Sequence, residues 1–383
     1  MGSHTSVTTQ TPSICTTSHS TSSPKNTTTT NLGFTRITQC KNNYSSTHFS
    51  KHNQSDQVDG SLFGRHTETR ISGKQFQLTR MYADKLHKTA KKPITYFDCV
   101  TVIGDSLSDS KGRMYKKSGG LLTRANPYYD GRFTNGSTWS EFLTNPSAMR
   151  SSQYSEGRAT QPQIELINKA EGGSPSASYF KRTFNPTFAI LSNMEKQVKN
   201  LTFTEKNLGI VFLGANDYMT YSKTDIDFIV ADQKKNIEKM IKNGARNIVV
   251  MGIPDLSLTP AAKKLTTEKK EYLQKISTEH NKKTQEIVDL LSVQQLCRIQ
   301  FFDVSKVFNE VMSTVEGINK DKPGSYEVDK PFSDGYIRRD NKNPLEIDPH
   351  YLFIDDVHPS QEVHMIIAME LHQFIADKFK PLT

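Results

Sequence analysis

The sequence predicts an α/β fold, a three-layer α/β/α sandwich around a central, mostly parallel sheet. Apolar runs of strand length alternate along the chain with segments whose apolar residues recur at helical spacing. Several of the predicted strands also end in polar, turn-forming residues. Such alternation is typical of parallel sheets that are covered by helices on both faces.

Four apolar runs are predicted to form strands, and four amphipathic segments are predicted to form helices. Asn243 and Gly244 indicate the end of one helix, because glycine readily adopts the left-handed conformation that closes a helix. The strands are expected at 94–103, 208–217, 247–257 and 297–305, and the helices at 137–143, 225–245, 265–292 and 357–379.

The beginning of the chain differs in composition from the rest. Residues 1–60 are rich in Ser and Thr, and the first fifty residues contain no Asp or Glu. Such a segment cannot bury enough apolar surface to offset the entropy that it would lose on ordering. The sequence therefore predicts a largely disordered leader at 1–93, with the character of an export signal, followed by an ordered domain at 94–383.

Charge and hydropathy narrow the classes of partner. The chain carries a formal net charge of +9, which favours anionic partners. It has no aromatic-rich basic module and no zinc-finger spacing, so we expect a membrane surface rather than nucleic acid, with a solvated basic tail as the alternative. No run of about 18 apolar residues is present, so no transmembrane helix is expected.

One segment departs from the alternation of strands and helices. Residues 317–350 are polar and rich in Pro, Gly and Asp. So long a loop within a domain is usually a functional flap or a disordered insertion, and we expect one of these here.

Three polar clusters follow predicted strands. They are Gly104-Asp105-Ser106, Gly214-Ala215-Asn216-Asp217 and Pro254-Asp255. In open α/β sheets the loops at the carboxyl ends of the strands form the ligand site. We therefore expect a functional site at this edge of the sheet.

The clusters contain the groups that acyl transfer requires. Ser106 is the candidate nucleophile, and it needs a base within hydrogen-bond reach because a free hydroxyl is a weak nucleophile. His358 is the candidate base, and Asp355, three residues earlier, can accept its Nδ1 proton and fix its tautomer. Candidate oxyanion donors are the Ser106 N–H, a glycine N–H within 170–178 and the Asn216 amide.

Each of these residues also has an ordinary structural interpretation. Ser106 and Asn216 are common turn residues, and Asp355 with His358 can mark the start of a helix beside a surface histidine. The four together favour catalysis. A metal site at His350, His358 and His364 is a weak alternative because no HExxH or comparable spacing is present, and no phosphate-binding glycine loop is found. No metal or cofactor is predicted.

In this order the motifs resemble those of the GDSL, or SGNH, hydrolase family. The resemblance covers the chain from about residue 94 onward and implies a flavodoxin-like fold with serine-dependent ester chemistry. By position it implies Ser106 as nucleophile, His358 as base, Asp355 as the orienting acid, and the Ser106 backbone, Gly173 and Asn216 as oxyanion donors. The matching motifs are Gly104-Asp105-Ser106-Leu107, Gly172-Gly173, Gly214-Ala215-Asn216-Asp217 and Asp355-Asp356-Val357-His358; the 130–142 stretch, with Arg132, Phe133, Asn135 and Trp139, matches a family segment near the site.

Longer stretches look very like an injected bacterial effector of this family, a glycerophospholipid:cholesterol acyltransferase with phospholipase A activity. This resemblance implies transfer of a fatty acyl chain from a glycerophospholipid to Ser106, and then to cholesterol or water. It also implies secretion into a host cell, work at host endosomal or vacuolar membranes and stimulation by a host Rho-family GTPase. The alternatives are a plain esterase or lipase, and an inactive adaptor that binds a GTPase. The intact set of catalytic residues argues against the adaptor.

Overall fold

Five parallel strands form the central sheet of the computed structural model, which describes residues 78, 81–82, 94, 96–123, 128–145, 164–331 and 350–379. The strands are β1 (Cys99–Gly104), β2 (Glu165–Asn168), β3 (Asn207–Phe212), β4 (Asn247–Met251) and β5 (Arg298–Phe302). They lie side by side in the order β2-β1-β3-β4-β5, and every pair is parallel. All described residues belong to one compact unit.

Helices of very different length connect the strands. Two of the longest begin at side-chain caps, where Asp225 and Asp303 each accept a backbone hydrogen bond at the helix start. The helices are α1 (Arg113–Lys117), α2 (Trp139–Thr144), α3 (Phe180–Thr183), α4 (Pro186–Ile190), α5 (Met194–Val198), α6 (Ala215–Met219), α7 (Ile226–Lys242), α8 (Pro260–Lys263), α9 (Thr267–Gln294), α10 (Val304–Asp321) and α11 (Gln361–Lys378).

Two apolar cores lie on opposite faces of the sheet. Val100 and Val102 of β1 pack in one core with residues of α2, α10 and α11. Ile103 of β1 packs in the other core with residues of α5, α7 and α9. Because successive side chains of a strand point to opposite faces, the apolar β1 serves both cores. This arrangement confirms the predicted three-layer α/β/α sandwich.

The structure differs from the sequence-based expectation at several elements. Strand β2 was not predicted, because only Leu166 and Ile167 of its four residues are apolar and Glu165 is exposed. Helix α10 was not predicted either, and its last residues, 317–321, occupy the start of the expected loop at 317–350; residues 332–349 of that loop lie outside the described residues. The predicted strands are also longer than the observed ones. The first begins five residues before β1, the second ends in α6, and the last residues of 247–257 and 297–305 form a turn and the start of α10.

Part of the predicted leader contacts the core. Leu78 and Tyr82 are buried within the α11-side core, and the Leu78 N–H donates a hydrogen bond to the Tyr326 hydroxyl at 3.3 Å. The Ser/Thr-rich residues 1–60 lie outside the described residues, so the boundary at 93 remains a prediction. Among the helices described, none combines the length and the apolar character needed to cross a membrane.

We expect the contact at Leu78 to contribute to folding stability. Leu78→Ala should lower the free energy of unfolding by about 2–5 kcal/mol, the usual cost of truncating a buried leucine. Met81→Ala is the matched control, because Met81 is 46% exposed, and it should change stability by no more than about 0.5 kcal/mol. Equilibrium denaturation by urea measures both. Equal effects of the two substitutions would show that residue 78 is not docked.

Candidate active site

Three neighbouring strands place the expected site residues at one edge of the sheet. Ser106 follows β1, Gly173 follows β2 and Asn216 follows β3. Strand β1 lies between β2 and β3, so the loop with Ser106 is flanked by the other two. The connection after β1 leads to β2 on one side and the connection after β3 leads to β4 on the other, which creates the crevice in which α/β sheets bind their ligands.

Exposure distinguishes these residues from their neighbours. Ser106, Gly173, Asn216, Asp355 and His358 are all partly exposed. The adjoining motif residues, Asp105, Leu107, Gly172 and Asp217, are buried. The sequence-predicted site residues are therefore accessible to solvent, whereas the residues beside them in the same motifs are buried.

His358 links the candidate nucleophile to the candidate orienting acid. Its Nε2 atom lies 2.8 Å from the Ser106 Oγ, and its Nδ1 atom lies 2.7 Å from the Asp355 Oδ2. With its proton on Nδ1 donated to the carboxylate, the ring accepts the Ser106 hydroxyl proton at Nε2. The structure thus brings together three side chains that lie up to 252 positions apart in the sequence.

A tight turn fixes the orientation of Asp355. Its Oδ1 atom accepts hydrogen bonds from the backbone N–H groups of Val357 at 2.8 Å and His358 at 2.7 Å. The Ile354 N–H closes the turn by donating to the His358 carbonyl at 2.9 Å. Asp356 points away and pairs with Lys264 at 2.7 Å, so only Asp355 serves the imidazole.

Two aromatic residues of the segment before α2 complete the surroundings of the histidine. The Tyr128 hydroxyl donates a hydrogen bond to the Asp355 Oδ2 at 2.7 Å. The Phe133 ring lies 4.9 Å from the His358 ring, centroid to centroid. The resemblance placed the stretch that holds Phe133 near the site, but Tyr128 was missed because no local pattern links it to a residue 227 positions later.

The charges of the pair stabilise each other. Burial alone would raise the pKa of Asp355, but the charge of His358 and the hydrogen bonds from His358, Tyr128 and the turn hold it below its usual value. Burial alone would lower the pKa of His358, but the negative charge of Asp355 and its hydrogen bond raise it above its usual value. The imidazole is therefore a stronger base than a free histidine.

The backbone around the glycine pair distinguishes two candidate oxyanion donors. The Gly172 N–H donates to the Asp109 carboxylate at 3.0 Å, and a side chain at 172 would overlap Phe133. Gly173 has a positive φ of 76°, and its carbonyl accepts a hydrogen bond from the Tyr221 hydroxyl at 2.7 Å. Within the described part of the chain, the N–H groups of Gly173 and Ser106 have no protein acceptor.

Asn216 and Asp217 tie the loop after β3 to the glycine loop. The Asn216 Nδ2 donates to the Ser174 carbonyl at 3.3 Å, which leaves its second amide hydrogen for another acceptor. The buried Asp217 accepts hydrogen bonds from the backbone of Ser176 at 2.7 Å and of Ala177 at 3.2 Å. Burial raises the pKa of Asp217 to about 6. These contacts hold the two candidate donors in a common framework.

The remaining polar residues singled out by sequence have structural contacts. Asp255 after β4 accepts from the N–H and hydroxyl of Ser257 and caps a short turn. His364 is buried, and its Nδ1 accepts the Trp139 N–H at 3.3 Å. Burial lowers the pKa of His364 to about 3. Across the described ranges, no three His, Cys, Asp or Glu side chains are grouped so that they could hold a metal ion.

A comparison with protein families decides the relationship. The model of the GDSL-like lipase/acylhydrolase family matches residues 100–371, which is more than half of the chain. The chain belongs to this family. The chain is therefore a GDSL-type enzyme, with the three-layer fold that its own sheet shows.

Two curated proteins from bacteria are similar to the chain. The chain is 38% identical over 308 residues to the secreted effector protein SseJ of Salmonella typhimurium, covering 78% of this chain and 69% of the relative. It is 27% identical over 327 residues to the phosphatidylcholine-sterol acyltransferase of Aeromonas hydrophila, covering 74% of this chain and 92% of the relative. Among solved structures, a mutant of Axe2, an acetyl-xylooligosaccharide esterase from Geobacillus, covers 75% of this chain and 96% of its own at 15% identity and a TM-score of 0.38.

The contact between Tyr128 and Asp355 predicts a shift in the pH profile. Removing the hydroxyl in Tyr128→Phe leaves the carboxylate more basic, so it should raise the pKa of His358 further. Because only the neutral imidazole can accept a proton, the acid limb of kcat/KM should move to higher pH. At the optimum we expect a loss of about two- to tenfold, the usual effect of losing one hydrogen bond.

Tyr129→Phe is the matched control, because it removes a hydroxyl from the adjacent residue and leaves the ring beside Arg132. Its pH profile should coincide with that of the unmodified enzyme. Rates on a soluble ester from about pH 5 to 9, above and below the usual histidine pKa, provide the measurement. A uniform loss for Tyr128→Phe, with no shift of the acid limb, would mean that the Tyr128 hydroxyl does not act through the pKa of the Asp355–His358 pair.

Proposed function

We propose that Ser106, His358 and Asp355 form the catalytic triad of a serine-dependent acyltransferase and lipase. The main support is the position of the His358 ring. Its Nε2 atom lies 2.8 Å from the Ser106 Oγ, and its Nδ1 atom lies 2.7 Å from the Asp355 Oδ2. The Ser106 oxygen attacks an ester carbonyl while its proton moves to His358 Nε2. The same proton then passes to the departing alcohol, and an acyl-Ser106 ester remains.

The oxyanion of this step needs preorganised donors. We assign the backbone N–H groups of Ser106 and Gly173 and the side-chain amide of Asn216 to this role. The free N–H groups of Ser106 and Gly173 support the assignment, as does the prior engagement of the Gly172 N–H by Asp109. Loss of one such donor typically raises the barrier by about 3 kcal/mol.

The substrate that we propose is a glycerophospholipid. The name of one relative, a phosphatidylcholine-sterol acyltransferase, supports a lipid acyl donor. In the second half of the reaction, His358 removes a proton from cholesterol or water, and the resulting oxygen attacks the acyl-Ser106 carbonyl. The products are a cholesteryl ester or a free fatty acid, together with the lysophospholipid.

The proposed place of action is supported by the secreted effector among the relatives and, for the membranes, by the resemblance alone. We infer that the chain is secreted from a bacterium into a host cell and works at host endosomal or vacuolar membrane surfaces. Its net charge of +9 favours anionic membranes. Stimulation by a host Rho-family GTPase belongs to this proposal and rests on the resemblance alone.

Covalent labelling tests the nucleophile. A fluorophosphonate probe should label the enzyme, and Ser106→Ala should abolish labelling and lower ester hydrolysis by several orders of magnitude. Ser292→Ala removes an exposed helix serine whose hydroxyl bonds only to its own helix, and it should label normally. Labelling that persists in Ser106→Ala would identify another nucleophile.

Vesicles of phosphatidylcholine and cholesterol test the lipid reaction. With these vesicles, the enzyme should release lysophospholipid and form cholesteryl ester, and a GTP-loaded Rho protein should increase both products. Free fatty acid without cholesteryl ester would contradict the transferase and leave a phospholipase. Hydrolysis of short soluble esters alone would leave a plain esterase, and the absence of all products would favour an inactive adaptor.

A further inference from the structure

Residues 180–190, here called the apolar tip, are almost entirely exposed although they are apolar in part. Within this tip, which comprises α3 and α4, only Phe188 is buried. Phe180 is 42% exposed, Phe184 78% and Ile190 68%. Soluble monomers rarely expose large apolar side chains in clusters, and such clusters mark surfaces that meet another apolar phase.

The apolar tip is held in a defined position. The buried Phe188 ring lies 5.1 Å from the Tyr179 ring and 5.0 Å from the Tyr221 ring. The Lys196 Nζ donates hydrogen bonds to the carbonyls of Phe188, Ala189 and Leu191 at 3.2, 2.7 and 2.6 Å. The exposed side chains therefore stand on an anchored turn.

Phe184 occupies a position that does not favour a bulky side chain. It ends α3 with a φ of 50°, in the left-handed region where Gly and Asn are the favoured residues. A phenylalanine there costs free energy twice, once in the backbone and once in exposed apolar area. At 78% exposure, the ring has little contact with the described residues that could offset these costs, which indicates that it serves an external contact.

The charge of the tip limits the kinds of partner. Lys181 and Arg182 lie within it, and residues 180–190 contain no Asp or Glu. Arg182 stacks over the Phe228 ring at 4.0 Å and pairs with Asp225 at 3.5 Å, so the exposed Lys181 is the cation of the tip that is available to a partner. Exposed apolar rings beside cationic side chains are typical of segments that lie in the interface of an anionic bilayer.

The apolar tip connects directly to the proposed oxyanion loop. The Tyr221 ring packs against Phe188, and its hydroxyl donates a hydrogen bond to the Gly173 carbonyl. Just beyond the tip, the Ser192 N–H donates to Glu171 at 3.1 Å. A surface bound through the tip is therefore close to the loop that receives the ester carbonyl.

We propose that the apolar tip is a lipid-docking surface that inserts Phe184 and Ile190 into a bilayer containing anionic lipid. This inference rests on the proposed phospholipid reaction and adds the surface through which the enzyme meets its substrate. The tip exposes apolar side chains, carries the cation Lys181 and is linked through Tyr221 to the Gly173 loop, and this combination fits a membrane better than a protein groove. A protein partner or a second copy of the chain remains an outcome of the test.

The experiment compares two double variants of the full chain. Phe184→Asn with Ile190→Ser removes the exposed apolar groups, and asparagine suits the left-handed position, so the fold should be kept. The control, Val293→Asn with Leu296→Ser, removes side chains that are 86% and 99% exposed. These residues precede β5, at the edge of the sheet opposite the site.

Three measurements separate docking from chemistry. They are co-sedimentation with vesicles of phosphatidylcholine, phosphatidylserine and cholesterol, fatty-acid release from the same vesicles, and hydrolysis of soluble p-nitrophenyl butyrate. The tip variant should lose about tenfold in vesicle affinity for each side chain removed, with a matching loss of release, and should keep its rate on the soluble ester. The control variant should behave as the unmodified enzyme in all three.

The outcomes are distinct. Undiminished vesicle binding by the tip variant overturns the inference and assigns the exposed rings to a protein partner or, if the unmodified chain dimerises in sedimentation, to a second copy. An equal loss on vesicles and on the soluble ester also overturns it, because the tip would then support the site itself. Tip-dependent vesicle binding without phospholipid cleavage would refute the proposed function and leave the docking surface standing.

Lys181→Gln tests the charge separately. It should weaken binding to phosphatidylserine-containing vesicles about fivefold and leave binding to vesicles of phosphatidylcholine and cholesterol unchanged. Equal binding of the variant and the unmodified chain to the anionic vesicles would contradict the anionic part of the inference.

Discussion

The hydrogen bonds of the His358 imidazole are the constraint on which the rest of the site depends. A serine hydroxyl has no useful nucleophilicity until a base can take its proton, and a histidine is a directed base only when its other nitrogen is held. Asp355 holds that nitrogen, and it is itself fixed by two backbone N–H groups and the Tyr128 hydroxyl. In the proposed mechanism, the chemistry thus depends on a fixed carboxylate that restricts the orientation of the imidazole ring.

The sheet itself positions some of the site residues, and long-range contacts position the others. The loops with Ser106, Gly173 and Asn216 follow three adjacent parallel strands, so sheet geometry alone brings them to one edge. Asp355 and His358 come from the turn before the final helix, and long-range contacts position that turn. The Thr134 hydroxyl, for example, donates to the Pro359 carbonyl at 3.0 Å. The buried Asp217 joins the loop after β3 to the glycine loop. This contact gives the last residue of the Gly214–Asp217 motif a structural role.

Sequence alone predicted the strands that are long and apolar, and it predicted the site residues that lie in short, recognisable clusters. It missed β2, whose four residues have no distinctive pattern. It also missed α10, because the predicted strand at 297–305 includes the first residues of this helix and the predicted loop at 317–350 includes its last. It could not find Tyr128, because that contact exists only once the chain has folded. The apolar tip was equally invisible, since exposure is a property of the folded surface and a phenylalanine in a sequence is usually buried.

The large sequence separation between Ser106 and His358 has a consequence for when the enzyme becomes active. The two residues are 252 positions apart, and contacts between such distant segments require closure of a very long loop, which opposes their early formation. A chain that is unfolded for passage through an export channel, or only partly refolded after it, holds a serine without its base. With the proposed nucleophile and base apart, such a chain has no acyl-transfer activity until the whole domain has assembled.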